Sequence, residues 1–224
     1  MISDKLKSVT QRMAKACGKA DRPSGSAVLV CVTKEASIDE MREALSLGVR
    51  IFGENRVQNA AAKYAQIREK AEWHMIGHLQ SNKVKDAVRI FSLIHSVDSV
   101  KLAKVIDKEA ARCGKIQDIL LQVNISGEES KSGVSAEAAE STVDEILLCR
   151  NLKLRGLMTM APENDDPETA RPYFKRLREL RNSINDGIEK SNILRELSMG
   201  MTNDFEAAIE EGATLVRIGR AVFK

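Results

Sequence analysis

Short runs of apolar residues alternate along the chain with longer segments in which apolar positions recur every three or four residues. The first run, at 27–32, is apolar at every position, as is typical of a strand buried on both faces of a parallel sheet. The segment that follows, 37–47, has helical spacing and begins at Ser37, a residue type that caps helix N-termini. This alternation predicts an α/β fold built from strand–helix units.

Eight such strand-like runs recur at spacings that leave room for a helix between them. Strands are predicted at 27–32, 50–53, 73–76, 92–97, 119–125, 152–158, 197–199 and 215–218, and helices at 37–47, 55–67, 80–88, 100–112, 135–148, 167–188 and 204–211. Eight units are the number that closes a (β/α)8 TIM-like barrel, and a doubly wound open sheet is the alternative architecture. No linker rich in proline, glycine or serine divides the chain, so we expect 1–224 to form a single domain.

An additional amphipathic helix is predicted ahead of the first strand. Its apolar residues recur at helical spacing, and they are Ile2, Leu6, Val9, Met13 and Cys17. A basic amphipathic N-terminus is also typical of a transit peptide. We prefer the interpretation that this helix packs on the barrel.

Composition narrows the function classes. The chain has 35 basic and 32 acidic residues in an interleaved arrangement and only 4% aromatic residues, which argues against nucleic-acid binding. No apolar run has membrane-spanning length. Cys17, Cys31, Cys113 and Cys149 form no CxxC pair, so buried reduced thiols are favoured over a zinc site or disulfides. We therefore expect a cytoplasmic protein.

Two candidate site residues follow the first two predicted strands. Binding residues of such barrels lie in the loops after the carboxyl ends of the strands. Lys34 lies two residues beyond the first run, where its amine could attack the carbonyl group of a cofactor, although a solvated loop lysine is the alternative. Asn55 follows the second strand and is interpreted either as an amide that contacts a ligand or as a helix cap.

The last two predicted strands carry signals for an anion. Ser198 offers a hydroxyl, and Gly200 would allow the backbone to approach a ligand just before a helix N-terminus, where phosphate is favoured; a capped loop is the alternative. Arg217 lies inside an apolar strand and needs a partner, which could be a core ion pair. Gly219 again permits close approach of backbone amides. A lysine and a phosphate cradle at one barrel mouth suit a phosphate-bearing aldehyde.

The three histidines give no metal signal. His74, His78 and His95 lack metal-ligand spacing, and we interpret His74 and His95 as hydrogen-bonded core residues.

Ordered blocks of the sequence match a known family. The chain resembles the pyridoxal 5′-phosphate (PLP) homeostasis proteins, which are PLP-binding barrels of fold type III with an alanine-racemase-like fold. The matching blocks are TK at 33–34, FGEN at 52–55 with VQ at 57–58, WHMIGHLQSNK at 73–83, VNI at 123–125, KSG at 131–133, RGLM at 155–158, LSMGM at 197–201, Asp204 with EAAI at 206–209, and RIGRA at 217–221. The resemblance extends from the first strand to the last residue.

The resemblance implies a set of cofactor-binding residues. They are Lys34, Asn55, Met158, Ser198, Gly200, Arg217, Gly219 and Arg220. Lys34 would hold PLP as a Schiff base, Asn55 would line the cofactor face, and Met158 would pack near the ring.

The same resemblance assigns the two ends of the cofactor. Ser198 and Gly200, with the backbone of Gly219 and Arg220, would hold the phosphate. Arg217 would face the pyridine nitrogen. Because arginine stays protonated and only donates, it should keep that nitrogen unprotonated, and the ring would then be a weak electron sink.

These implications favour a carrier over an enzyme. We expect a protein that binds PLP for intracellular storage, buffering or delivery, without robust catalysis, as a monomer that has PLP-requiring apo-enzymes as partners. An amino-acid racemase or decarboxylase of the same fold type is the alternative, but those enzymes add a β-rich domain, and the chain ends six residues past Ile218. Tyr64 and Tyr173 lie in predicted helices and are unconvincing as a second acid/base. A barrel isomerase acting on a sugar phosphate is a third class.

Overall fold

Eight parallel strands close into a barrel in the computed structural model, which describes residues 1–67, 71–128 and 131–224. The strands in chain order are β1 (Val28–Val32), β2 (Ile51–Glu54), β3 (Glu72–Met75), β4 (Leu93–Val97), β5 (Gln117–Asn124), β6 (Val134–Ser135), β7 (Leu152–Met158), β8 (Glu196–Ser198) and β9 (Leu215–Ile218). The ring runs β1–β2–β3–β4–β5–β7–β8–β9, and β9 pairs with β1. This closure confirms the (β/α)8 prediction over the open sheet.

Helices surround this ring on its outer face. They are α1 (Ile2–Lys19), α2 (Ile38–Ser46), α3 (Val57–Ile67), α4 (Val84–Ile90), α5 (Val100–Arg112), α6 (Ala139–Leu147), α7 (Arg171–Gly187), α8 (Phe205–Glu210) and α9 (Arg220–Phe223). The predicted Ser37 cap is confirmed as part of a capping box with Glu40 at the start of α2. None of the helices in the described ranges is long and apolar enough to cross a membrane.

Helix α1 is the predicted additional helix, and it packs against α8 and α9. Its apolar stripe is buried, as predicted. Arg12 fixes the orientation, because it donates to both carboxylate oxygens of Glu206 at 2.7 and 2.9 Å and stacks over the Phe205 ring.

Three local predictions differ from the structure. The segment predicted as a helix at 135–148 begins with the short strand β6, which pairs with β5, and α6 starts only at Ala139. The helix predicted at 167–188 opens with a 3-10 turn at Pro167–Ala170. The expectation of buried thiols is wrong for Cys113, because this residue is the C-cap of α5 and is exposed.

The core has two parts because side chains alternate between the two faces of each strand. The larger part fills the space between strands and helices. The smaller part lies inside the barrel and comprises Val30, Ile76, Leu93, Leu120, Met158 and Leu215. The same alternation therefore identifies which residues near the barrel mouth share the inward face.

Candidate functional site

Lys34 lies at the barrel mouth on the inward-facing side of β1. Val30 and Val32 belong to the interior cluster. Because side chains alternate between the two faces of a strand, Lys34 follows these two residues on the inward-facing side. Its side chain is half exposed, and its nearest acidic group is the Glu35 carboxylate at 3.8 Å. An amine in this position is accessible to a ligand.

One cleft of about 200 Å³ joins Lys34 to the end of β9. It is lined by Val32, Lys34, Glu35, Glu40, Gly219, Arg220, Phe223 and Lys224. A side chain at Gly219 would not fit, because a Cβ atom there would lie 2.9 Å from the Val32 carbonyl oxygen. The structure therefore brings together Lys34, Gly219 and Arg220, which the resemblance assigns to opposite ends of the cofactor.

Arg217 is buried inside the barrel and has no acidic partner within ion-pair distance in the described part of the chain. Its Nη1 donates to the Ser198 hydroxyl at 2.6 Å, and its Nη2 donates to the Thr159 carbonyl at 3.0 Å. Burial lowers the pKa of Arg217 to about 10, and the more distant Asp204 acts in the opposite direction. The guanidinium is thus still charged at neutral pH, and its partners are neutral oxygens rather than the core ion pair considered from the sequence.

Ser198 faces the barrel interior rather than the cleft. Its side chain has no exposed area, and its hydroxyl contacts Arg217 at 2.6 Å and the Nδ1 atom of His95 at 2.8 Å. Both contacts occupy the group that the resemblance assigns to phosphate. Direct contact of Ser198 with the phosphate, which the resemblance implies, stays a prediction.

Gly200 lies two residues beyond Ser198, in the loop after β8. Its φ of +91° is a conformation that favours glycine, and a Cβ atom would lie 2.5 Å from that of Ala208. The Gly200 carbonyl accepts from the backbone N–H of Arg217, which joins the loop after β8 to β9.

Met158 and Asn55 lie on different sides of the site. Met158 is in the interior cluster and pairs with Ser198 across β7 and β8, so it packs below the mouth. Asn55 lines a neighbouring pocket of about 700 Å³ together with His78. The structure does not bring Asn55 into the Lys34 cleft. The cap interpretation of Asn55 also does not hold, because α3 begins at Val57 and the Arg56 carbonyl accepts its first helical bond.

His74 and His95 are the functional candidates that the sequence did not single out. The His95 Nε2 atom lies 3.0 Å from the His74 Nδ1 atom, and both rings are buried inside the barrel. Their signal in the sequence was the alternation that turns them toward the interior, whereas attention to metal spacing pointed away from them. Within the described residues, no cluster of three metal-ligating side chains is present.

Comparisons with known proteins assign this barrel first to a broad class. The family model described as alanine racemase, N-terminal domain, matches residues 5–224. A pyridoxal phosphate homeostasis protein of Aquifex aeolicus (strain VF5) is 43% identical over 221 residues, which cover 98% of this chain and 96% of the relative. The chain belongs to the pyridoxal phosphate homeostasis protein family, as its sequence motifs predicted.

Solved structures agree with this assignment. A protein of unknown function from Bifidobacterium adolescentis has a TM-score of 0.92 and 38% identity, covering 99% of this chain and 94% of its own. PipY of Synechococcus elongatus PCC7942, solved with PLP bound, has a TM-score of 0.87 and 33% identity, covering 100% of both chains. PipY therefore shows this fold in a protein that was solved with PLP bound.

Proposed function

We propose that this protein binds PLP at the barrel mouth through Lys34 and acts in PLP homeostasis. The observation that carries the proposal is the cleft in which the Lys34 amine lies beside Gly219 and Arg220. The name of the A. aeolicus relative and the PLP bound to PipY support it. The buried cation of Arg217 below the mouth supplies a third point of contact.

The donor set fits the chemistry of this cofactor. PLP supplies an aldehyde that condenses with a primary amine, an anionic phosphate and a pyridine nitrogen. Lys34 would provide the amine, and the backbone of Gly200, Gly219 and Arg220 would hold the phosphate. Arg217 would donate to the pyridine nitrogen, because a guanidinium has only donors to offer.

The remaining predicted residues have supporting roles in this proposal. Met158 would pack against the lower edge of the ring from the barrel interior. Asn55 lines the adjoining pocket, so its contact with the cofactor would be at the rim of the site. Ser198 would hold Arg217 through its hydroxyl, which contacts the guanidinium, in addition to the phosphate role that the resemblance implies.

A carrier is favoured over an enzyme by what surrounds the cleft. Racemisation needs an acid/base group on each face of the substrate carbon. Tyr64 packs edge-on against Trp73, and Tyr173 packs against the outer core, so neither tyrosine lines the Lys34 cleft. Arg217 would also leave the ring nitrogen unprotonated and the ring a weak electron sink. Storage or delivery of PLP to apo-enzymes in the cytoplasm, by a monomer, is the function we propose.

Absorption spectroscopy tests the attachment point. Purified protein incubated with PLP should show a visible band that borohydride bleaches, with a pyridoxyl mass mapped to Lys34. Lys34→Ala should lose the band, whereas Lys224→Ala, which removes the other lysine lining the cleft, should keep it. A Lys34→Ala variant with an unaltered spectrum would refute the assignment.

Proton exchange at an amino acid separates the carrier from the racemase or decarboxylase. PLP-loaded protein would be incubated with amino acids in D2O and followed by proton NMR. We expect no loss of the α-proton signal and no decarboxylated product above the level given by free PLP. Rapid exchange that Lys34→Ala abolishes would favour the enzyme alternative.

A further inference from the structure

A continuous row of polar side chains crosses the interior of the barrel. The Arg217 Nη1 atom lies 2.6 Å from the Ser198 Oγ atom, which lies 2.8 Å from the His95 Nδ1 atom. The His95 Nε2 atom lies 3.0 Å from the His74 Nδ1 atom. The carboxylate of Glu72, at the opposite end of the barrel, lies 3.9 Å from the His74 Nε2 atom. We call Arg217, Ser198, His95 and His74 the interior chain.

The hydrogen-bonding capacities of these groups favour one direction along the interior chain. Arg217 can only donate, so the Ser198 oxygen accepts from it. We assign the hydroxyl proton to the His95 Nδ1 atom, because the described residues offer this hydroxyl no other hydrogen-bond acceptor. His95 must then carry its proton on Nε2 and donate to the His74 Nδ1 atom. His74 in turn carries its proton on Nε2, which faces Glu72. This direction places the proton of each histidine ring that takes part in the interior chain on Nε2.

Electrostatics favour the same assignment. His95 is fully buried, and desolvation holds its pKa well below the ordinary value, with an additional contribution from the Arg217 cation. The pKa of Glu72 is lowered because its carboxylate interacts with the His74 ring. A protonated His95 would place a second cation beside Arg217 and turn a donor toward the Ser198 hydroxyl. The charges at the two ends match the direction of the chain, with a cation where it begins and an anion where it ends.

If the interior chain only filled space in the barrel, it would cost more free energy than apolar side chains in the same place. The surrounding interior residues, among them Ile76, Leu93 and Leu215, are apolar, and apolar side chains could fill the same layer without desolvating polar groups. Partly satisfied buried polar networks are unfavourable, but this one is linked at every step from Arg217 to His74. Such a network specifies one arrangement of its members.

We propose that Ser198, His95 and His74 are positioning residues that fix the orientation of the Arg217 guanidinium toward the cofactor ring. One hydrogen bond, from Nη2 to the Thr159 carbonyl, would leave the guanidinium free to rotate about that contact. The second, to Ser198, fixes its plane, and His95 and His74 fix the hydroxyl in turn. The role of the guanidinium rests on the proposed PLP function, whereas the direction of the interior chain does not.

Histidine NMR on PLP-free protein tests the direction by itself. At pH about 6.5, where a free histidine is half protonated, long-range proton–nitrogen spectra should show His95 as a neutral Nε2–H tautomer. The His74 Nδ1 atom should carry no proton in the same spectra, because it accepts from His95. An Nδ1–H tautomer or a protonated ring at His95 would overturn the assigned direction, whatever the protein binds.

Variants of His95 test the positioning role. His95→Phe should shift the visible band of lysine-bound PLP and weaken PLP binding by up to about tenfold, the effect of losing one hydrogen bond between neutral groups. His95→Gln, which retains a donor and an acceptor, should recover part of both changes, and the matched control His78→Phe should change neither. If His95→Phe fails to fold, Ser198→Ala removes the same link with a smaller change.

The outcomes separate the two proposals. Both His95→Phe and Ser198→Ala could lower the melting temperature while the visible band and the PLP affinity stay unchanged. That result would mean that the interior chain only stabilises the fold, and it would overturn the positioning role. Failure of the wild-type protein to bind PLP would refute the proposed function and the positioning role with it. The tautomers measured without PLP would still decide whether the interior chain has the assigned direction.

Discussion

The carboxylate of Glu54 is fully buried at the end of β2, and Lys63 from α3 supplies the cation that balances its charge. Glu54 Oε1 accepts from the Lys63 ammonium at 2.8 Å and from the Thr33 hydroxyl at 2.7 Å. Lys63 also donates to the Thr33 carbonyl. Because Thr33 directly precedes Lys34, this cluster ties α3 to the strand end that carries the candidate amine.

Replacing Lys63 with methionine keeps an unbranched side chain, shorter by the terminal nitrogen, but leaves the Glu54 charge without its cation. Breaking a buried ion pair by removing one partner costs about 3–5 kcal/mol. Because Lys63 is 16% exposed and water can reach the vacated position, we expect the lower end, about 3 kcal/mol of unfolding free energy. For a domain of this size that corresponds to a fall in Tm of about 6–12 °C.

Urea unfolding followed by circular dichroism measures this change. The control is Lys85→Met on the exposed face of α4. There we expect the unfolding free energy to change by no more than about 0.5 kcal/mol. The decisive comparison is a double-mutant cycle with Glu54→Gln. Lys63→Met should cost at least about 1.5 kcal/mol less in the Glu54→Gln background than in the wild type. Equal costs in both backgrounds would refute the reasoning, because the lysine would then stabilise the fold independently of the buried charge.

Two further predictions concern a close backbone approach and thiol reactivity. Gly77→Ala should destabilise the protein by about 1–3 kcal/mol, because its Cβ atom would lie 2.4 Å from the Asn55 carbonyl oxygen. The control Gly18→Ala, in open space within α1, should stabilise by about 0.5–1 kcal/mol, and equal effects in urea unfolding would contradict this. Burial raises the pKa of Cys31 to about 12, so a disulfide reagent at pH about 8 should label exposed Cys113 quickly and Cys31 only after denaturation, as read by mass mapping. Labelling of both thiols at one rate in the folded protein would show that burial does not protect Cys31.

The strand pattern was readable from sequence because parallel strands in a barrel are apolar on both faces. All eight predicted runs became strands of the ring, with ends shifted by only a few residues, as at β5 (Gln117–Asn124), predicted at 119–125. The short β6 was missed because two residues give no periodicity, and because its pairing depends on Gly133, whose φ of +127° brings that backbone against β5. Local sequence does not contain such a contact.

The site was predictable only where chain position alone determines location. Lys34, Gly219 and Arg220 follow strand ends that are neighbours in the ring, so their common cleft follows from the topology. The environment of Ser198 could not be derived in this way. Its partner His95 is distant in sequence, and the two meet across the barrel rather than along one ladder.

Arg217 shows why one row of side chains in the largely apolar barrel interior is polar. An acidic partner would stabilise the buried guanidinium, but it would also cancel the charge that the guanidinium presents at the mouth. Ser198 and the Thr159 carbonyl hold the same group with neutral dipoles, so its positive charge is retained. Neutral dipoles do so only when their orientation is fixed, and His95 fixes that of Ser198. A hydrogen-bonded chain of neutral side chains thus achieves what a carboxylate could not, which is to keep a cation in place without neutralising it.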